Sequence, residues 1–455
     1  MEFTVAMSKQ KIQKGINRRS FLRSTAAAGA GLVLSPMVSG QKASGKKVDD
    51  INVALLGAGT QGQVLITACL KIPGIRFKAV CDIWTDFNQR RVSRLLDRYG
   101  HELNTYEDYQ EMLDKEKDLD AAIVATPDFW HADHAVGCLK AGLHVYCEKE
   151  MSNTLEGARR IVQAVKEADK LLQIGHQRRS NPRYIHCYEK LIKEAKLLGR
   201  ITTINGQWNR SKAACQDLLW PEKVPIDQAT LEKYGFKSME QFRNWRWYKG
   251  LGGGPIVDLG SHQIDIYSWF LDANPKSIMA SGGIDYWKEH EWYDNVMAIY
   301  EYETKQGTVR AFYQTITTNS SQGYYETFMG DEGTLVISEA SGRSSVYREP
   351  SVPEWDKWVK LKYLSESAKK EEASKSGAVL DVRETVPVAK YDLPVRMDKP
   401  YHQPHLENFF DAIRGKAKLA CPAEVGYETA VTVLKANEAV EAARKLDFKS
   451  EDFKV

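Results

Sequence analysis

The run Gly57-Ala58-Gly59-Thr60-Gln61-Gly62 has the glycine spacing of a loop that wraps a pyrophosphate. Gly57 allows a tight turn, Gly59 leaves backbone amides open to phosphate oxygens, and Gly62 lets a following helix pack on the preceding strand. Twenty residues after Gly62 stands Asp82, where a carboxylate can accept hydrogen bonds from an adenosine ribose. An acid there repels a 2′-phosphate, which favours NAD; Arg90 and Arg91 close behind keep NADP as the lesser alternative. The chemistry is dinucleotide binding, with Gly57, Gly59, Thr60, Gln61, Gly62 and Asp82 as contacts.

Such a loop works only between a strand and a helix N-terminus. Ile51, Val53, Ala54, Leu55 and Leu56 form a continuous apolar run, the mark of a parallel strand buried on both faces. Val64, Leu65, Ala68 and Leu70 then recur at helical spacing. The alternation continues with strand 76–81, strand 120–125, helix 132–140, strand 143–147, helix 155–168 and strand 171–174. It predicts a doubly wound parallel α/β sheet, a Rossmann-type domain over 51–175. Ligands of such sheets lie beyond the carboxyl ends of the strands. That singles out Thr126, Pro127, Asp128 and His131, then Glu148 and Lys149, then Gln177 and Arg178.

At 455 residues the chain exceeds the size at which one hydrophobic core keeps growing, so a second domain is expected over 176–445. There the pattern shifts to alternation over 201–208, 277–284, 295–302, 308–316, 324–329 and 334–338. An open, mostly antiparallel sheet follows, closed by helices 406–414 and 427–443. Residues 351–395 are charged, lack apolar periodicity and read as a surface excursion. Trp208, Trp220, Trp245 and Trp247 fall within forty positions. They either stack on sugar rings or serve as core or subunit contacts.

Lys and Arg number 63 against 60 Asp and Glu, a balance that excludes a protein whose main work is neutralising nucleic-acid phosphate. Past the first forty residues no apolar run is long enough to span a bilayer. Seven cysteines, odd in number and without repeated Cys-x-x-Cys spacing, read as buried thiols and give no metal site. Residues 1–40 read as an export leader: Lys9, Lys11, Lys14, Arg18 and Arg19 precede the apolar run Ala26 to Val33 and small residues near Gly40. Arg18-Arg19-Ser20-Phe21-Leu22-Arg23 resembles a twin-arginine signal. That resemblance implies the twin-arginine export machinery as a partner, passage in folded form and a periplasmic home. Residues 41–50 read as a connector.

Four ordered segments resemble the Gfo/Idh/MocA oxidoreductases: Gly57 to Gly62; Ala125-Thr126-Pro127-Asp128 with His131; Cys147-Glu148-Lys149; and Gly254-Pro255-Ile256-Val257-Asp258-Leu259-Gly260-Ser261-His262. A tail from His405-Leu406-Glu407-Asn408-Phe409 through Pro422-Ala423-Glu424 also fits. The resemblance implies bound NAD, a carbohydrate substrate and a homo-oligomer. It implies too that Lys149 touches nicotinamide ribose and substrate, with His262 and Asp258 completing the reacting site. A histidine there can take a hydroxyl proton as hydride leaves the same carbon, and a neighbouring ammonium lowers its pKa. Asp258 and His262, four apart, share one face of a helix starting near Asp258. The substrate side is expected to comprise Lys149, Arg178, Trp208, Trp245, Trp247, Asp258 and His262. One departure stands out: Glu150 follows Lys149 where the family commonly has proline, adding a carboxylate that can displace the lysine or pair with it.

Three functions follow. The first is NAD-dependent oxidation of a sugar or glycoside hydroxyl. The second is redox-neutral glycoside cleavage, in which oxidation, elimination, hydration and return of the hydride leave the cofactor unchanged. The third is a catalytically silent sugar-binding module.

Overall fold

Residues Ile51–Leu56 are buried along their whole length, and they form the central strand β1 of a six-stranded parallel sheet. The computed structural model describes residues 50–367 and 387–455; the expected leader and residues 41–49 of its connector lie outside them. Around β1 are β2 (Ile75–Cys81), β3 (Asn104–Tyr106), β4 (Ala121–Val124), β5 (His144–Cys147) and β6 (Leu172–Ile174), in the order β3-β2-β1-β4-β5-β6. Helix α1 (Thr60–Cys69) follows the glycine loop, α2 (Asp128–Lys140) follows β4, and α3 (Leu155–Ala168) follows β5. The Thr154 hydroxyl caps α3 by accepting from the Gly157 amide at 3.1 Å, satisfying one of the amides a helix start leaves unpaired.

The second half is a ten-stranded sheet. Its long strands are β7 (Ile201–Asn209), β8 (Pro275–Gly283), β9 (Asn295–Thr304), β10 (Gly307–Ile316), β11 (Tyr324–Gly330) and β12 (Gly333–Ile337). Short strands β13 (Ser345–Arg348), β14 (Ser365–Glu366), β15 (Ala389–Asp392) and β16 (Leu446–Asp447) complete the order β14-β15-β13-β12-β11-β7-β10-β9-β8-β16. Pairing is antiparallel except between β7 and β10. Within the expected 351–395 excursion, β14 and β15 extend the sheet edge, while residues 368–386 lie outside the described residues.

Helix α4 (Gly254–Leu271) lies on the inner face, where the Tyr267 hydroxyl donates to the Phe312 carbonyl at 2.9 Å. Two later helices close the chain, α5 (Gln403–Ile413) and α6 (Ala423–Ala442). Helix α5 returns to the first half: Leu406, Phe409 and Phe410 share a core with Val53, Leu55 and Ile123. Residues just beyond it cover the free edge of β6, with the Ile174 amide donating to the Cys421 carbonyl at 2.9 Å. All seven cysteines are buried free thiols, as their spacing suggested. No helix among the described residues is long and apolar enough to cross a membrane.

Candidate active site

A cavity of about 450 Å³ lies beyond the carboxyl ends of the parallel strands. The glycine loop forms one wall. Gly57 has φ of 90°, and a Cβ there would sit 2.6 Å from the Ala125 carbonyl carbon; a Cβ on Gly62 would lie 2.1 Å from the Gly57 oxygen. Gly59 differs, since a Cβ would meet only Asn88 Nδ2, at 3.9 Å, so the approach above it is open. Gly59 caps α1 without a side-chain hydrogen bond, leaving first-turn amides for a ligand anion. This cradle fits the phosphates of a dinucleotide.

Asp82, just after β2, lines the same cavity. The amides of Ala58 and Trp84 each donate to one of its oxygens at 2.7 Å. Burial lifts its pKa to about 6 against those hydrogen bonds. Thr126, Pro127 and Asp128 line the next stretch, where burial raises the Asp128 carboxyl to about 7 despite Lys149 and Arg246. Gln61 Nε2 donates to Glu148 Oε1 at 3.0 Å, joining the loop to the end of β5. Gln177 lines the same cavity and donates to Glu339 at 3.4 Å.

At the other end, the Lys149 ammonium donates to the Asp258 carbonyl and stands 3.3 Å from Asp258 Oδ1. Arg246 Nε donates to that same oxygen at 3.0 Å. Burial opposes charge on Asp258, but the two cations outweigh it and hold the carboxylate well below its ordinary range. His262, one turn along α4, lines the cavity with its ring 5.6 Å from that of Trp208. Its Nδ1 is buried without a hydrogen-bond partner among the described residues, which leaves Nε2 as the nitrogen available to the cleft. Burial first, then Lys149 and Arg178, push its pKa well below 6.5, so the ring is neutral at neutral pH. Asp265, three residues further along α4, fixes the helix rotation through Arg179, whose Nη2 donates at 2.7 Å. Trp208 stacks on Tyr324 with ring centres 4.5 Å apart, forming an aromatic wall beside His262.

Two family models match the chain: "Oxidoreductase family, NAD-binding Rossmann fold" over residues 51–176, and "Oxidoreductase family, C-terminal alpha/beta domain" over 225–448. The chain belongs to the GFO/IDH/MocA oxidoreductase family. Its first half is the NAD-binding Rossmann domain of that family. Among GFO/IDH/MocA relatives, it is 25% identical to an inositol 2-dehydrogenase of Rubrobacter xylanophilus over 305 residues, 64% of this chain and 72% of that protein. It is 28% identical to scyllo-inositol 2-dehydrogenase (NADP(+)) IolW of Bacillus subtilis over 242 residues, 52% of this chain and 56% of that one. A glycosyl hydrolase family 109 protein of Shewanella sp. is 28% identical over 162 residues, 31% of this chain and 35% of its own. The chain thus spans about a third to a half of the length of several curated relatives it matches. Levoglucosan dehydrogenase in complex with NADH has the same fold, with a TM-score of 0.63 and 17% identity, covering 88% of this chain and 99% of that one. So does the WlbA dehydrogenase of Chromobacterium violaceum, with a TM-score of 0.62 and 18% identity, covering 91% and 99%.

Within this family member, most of the expected residues meet in one cleft: Gly57, Gly59, Thr60, Gln61, Asp82, Thr126, Pro127, Asp128, Glu148, Lys149, Gln177, Trp208, Trp245, Asp258 and His262. Four do not line it. Gly62 lies behind the loop, in the packing role its spacing gave it. His131, expected to touch cofactor, is fully buried between the carbonyls of Thr126, at 2.8 Å, and Glu150, at 2.7 Å. Burial lowers its pKa to about 4, and a neutral ring can donate to only one of the two, so it braces the loops instead. Arg178, expected to bind substrate, is enclosed by Glu326 and by Glu339 at 3.0 Å. Burial works against its charge, and the two carboxylates override that and hold the guanidinium charged. Trp247 faces away and stacks on His290 at 4.0 Å. The anticipated Glu150–Lys149 pairing is not made, because Lys149 engages Asp258 while the Glu150 carboxyl group is buried and accepts from the Met151 amide.

The cleft also holds residues that pattern reading passed over: Arg246, Arg243, Tyr324, Glu339, Tyr401 and His402. Arg246 was legible in principle, since it sits between Trp245 and Trp247. Tyr324 owes its place to cross-strand register with Trp208, which no local pattern encodes.

Proposed function

We propose that the chain is an NAD-dependent oxidoreductase acting on a hydroxyl of a sugar or polyol. The observation that carries this reading is the convergence of Lys149, Asp258 and a neutral His262 beside an aromatic wall, in the same cavity as the glycine loop. NAD supplies the hydride acceptor when bound. As the substrate C–H bond gives up its hydride and a carbonyl forms, the O–H proton passes to His262 Nε2. Lys149 stabilises alkoxide charge developing on that oxygen, and Asp258 holds the ammonium in place while offering its second oxygen to substrate hydroxyls. Trp208 and Tyr324 present flat faces to the apolar side of a ring. Asp82 favours NAD over NADP.

A second reading is redox-neutral glycoside cleavage. It is favoured by the roof of aromatic residues over the cofactor groove, which suits a cofactor that stays bound, and by similarity to glycosyl hydrolase family 109 proteins. A silent binding module would have no need of the Lys149, Asp258 and His262 constellation. Twin-arginine export, periplasmic residence and assembly into homo-oligomers belong to the same proposal and rest on the sequence reading.

The test is to purify the protein without added nucleotide, identify any nucleotide released on denaturation by mass spectrometry, and assay sugars, polyols and nitrophenyl glycosides without supplied cofactor. Oxidoreductase function predicts bound NAD and a single turnover of reduced cofactor; repeated aglycone release would establish cleavage instead. His262→Ala is expected to lower the rate by roughly 10²–10⁴ while leaving NAD content unchanged. Loss of NAD from that variant would remove the assignment of His262 as base.

A further inference from the structure

The segment from Ile226 to Leu251 folds over the nucleotide groove, packing Tyr234, Phe236, Met239 and Trp245 against Trp84, with Phe129 and Trp130 beside them. Trp84 follows β2 and Trp130 lies in α2, so this roof from the second half rests on a loop and a helix of the first. The Trp84 indole donates to the Val224 carbonyl at 2.7 Å and that of Trp130 to the Tyr234 carbonyl at 3.1 Å.

Three permanent cations line the cavity, and they are not alike. Lys149 and Arg246 both pair with Asp258. Arg243, at the end of the short helix Met239–Arg243, has no carboxylate partner among the described residues, and its Nε is buried without a hydrogen bond. Its guanidinium lies 5.5 Å from the Trp84 ring centre, and Asp82, the acid at that end, is already engaged by two backbone amides. An unpaired cation in a partly desolvated groove is costly unless an anion joins it. Arg243 has the Trp84 ring beside it, and burial, with the charge of nearby Arg246 added, lowers its pKa. Arg243 and the glycine loop line the same groove.

We propose that Arg243 receives the diphosphate of the bound dinucleotide, so that the roof and the glycine loop hold its charge from opposite sides. The inference rests on the oxidoreductase reading above and extends it to how cofactor is retained. Closing the groove with an arginine from another domain makes release depend on lifting the roof.

Binding, not turnover, tests this. Nucleotide-free full-length protein is titrated with NAD, ADP, 2′-AMP and adenosine while tryptophan fluorescence is followed, for the unaltered chain, Arg243→Gln and Arg243→Lys. The expected result is a loss of about 10- to 100-fold in NAD and ADP affinity for Arg243→Gln, a smaller loss for Arg243→Lys, and adenosine affinity unchanged. Equal ADP affinity in Arg243→Gln would overturn the proposal, and so would adenosine weakened as much as ADP, which would make Arg243 a prop for the Trp84 wall. Weakening of 2′-AMP with ADP spared would also overturn it, moving the contact to a ribose phosphate. An unaltered chain that folds yet binds neither NAD nor ADP would instead defeat the nucleotide reading itself.

Discussion

Glu150 is a carboxyl group placed where nothing needs its charge. Its side chain is fully buried, Oε1 accepts from the Met151 amide at 2.8 Å and Oε2 has no partner among the described residues. Burial raises its pKa from 4.5 to about 8, so the folded protein binds a proton that the unfolded chain releases. The linkage then has a definite sign: the group lowers stability progressively as pH climbs from about 4.5 to about 8. Glu150→Gln is expected to melt close to the unaltered protein at pH 4.5 and above it at pH 8. Thermal unfolding across that range checks this, and a constant difference would show that Glu150 does not titrate. Adjacent to it, Lys149 keeps its pairing with Asp258, so an acid at the motif's proline position leaves the reacting end intact.

The segment after β6 acts as a clasp between the two sheets. Arg178 reaches Glu326 on β11 and Glu339 beyond β12, while Tyr184 donates to the other Glu326 oxygen at 2.9 Å. Removing the cation strands two buried carboxylates, so Arg178→Met is expected to cost about 3–5 kcal/mol, read from denaturant unfolding. An unchanged midpoint would mean that both acids are neutral without it. Sequence pattern was informative where burial is regular: β1, β4 and β9 alternate or run apolar as their neighbours demand, and each was placed within a few residues. It failed for β3, with two of three residues exposed, and for the roof helices near Leu231 and Met239, which pack by irregular aromatic contact. The site shows the same division. Motif positions such as Gly57, Lys149 and His262 were readable one by one, whereas Arg178 looks like a ligand in sequence and only its two distant carboxylates reveal a structural role.

The outer face of the large sheet carries Met279, Met297 and Ile299, all at least 39% exposed, with Met279 directly opposite Ile299 across β8 and β9. Arg310, Glu301 and Lys445 form a charged border. An apolar centre with an ionic rim is the composition of a protein–protein contact. Ile299→Asp is expected to shift the protein to a smaller species in light scattering with unfolding unchanged; a monomeric unaltered chain would remove the oligomer reading. A different consequence follows from the course of the backbone. The first core includes Leu406, Phe409 and Phe410, and the edge of β6 is sealed by Cys421. The nucleotide half therefore stays unfinished on the ribosome until α5 and Cys421 have emerged. At about 5–20 residues per second, the stretch from β6 to α5 takes roughly 10–50 s to synthesise. Throughout that interval the first core lacks Leu406, Phe409 and Phe410, so cofactor capture is expected to wait for α5, and a truncation before α5 is expected to give an aggregation-prone fragment in place of a smaller nucleotide-binding protein.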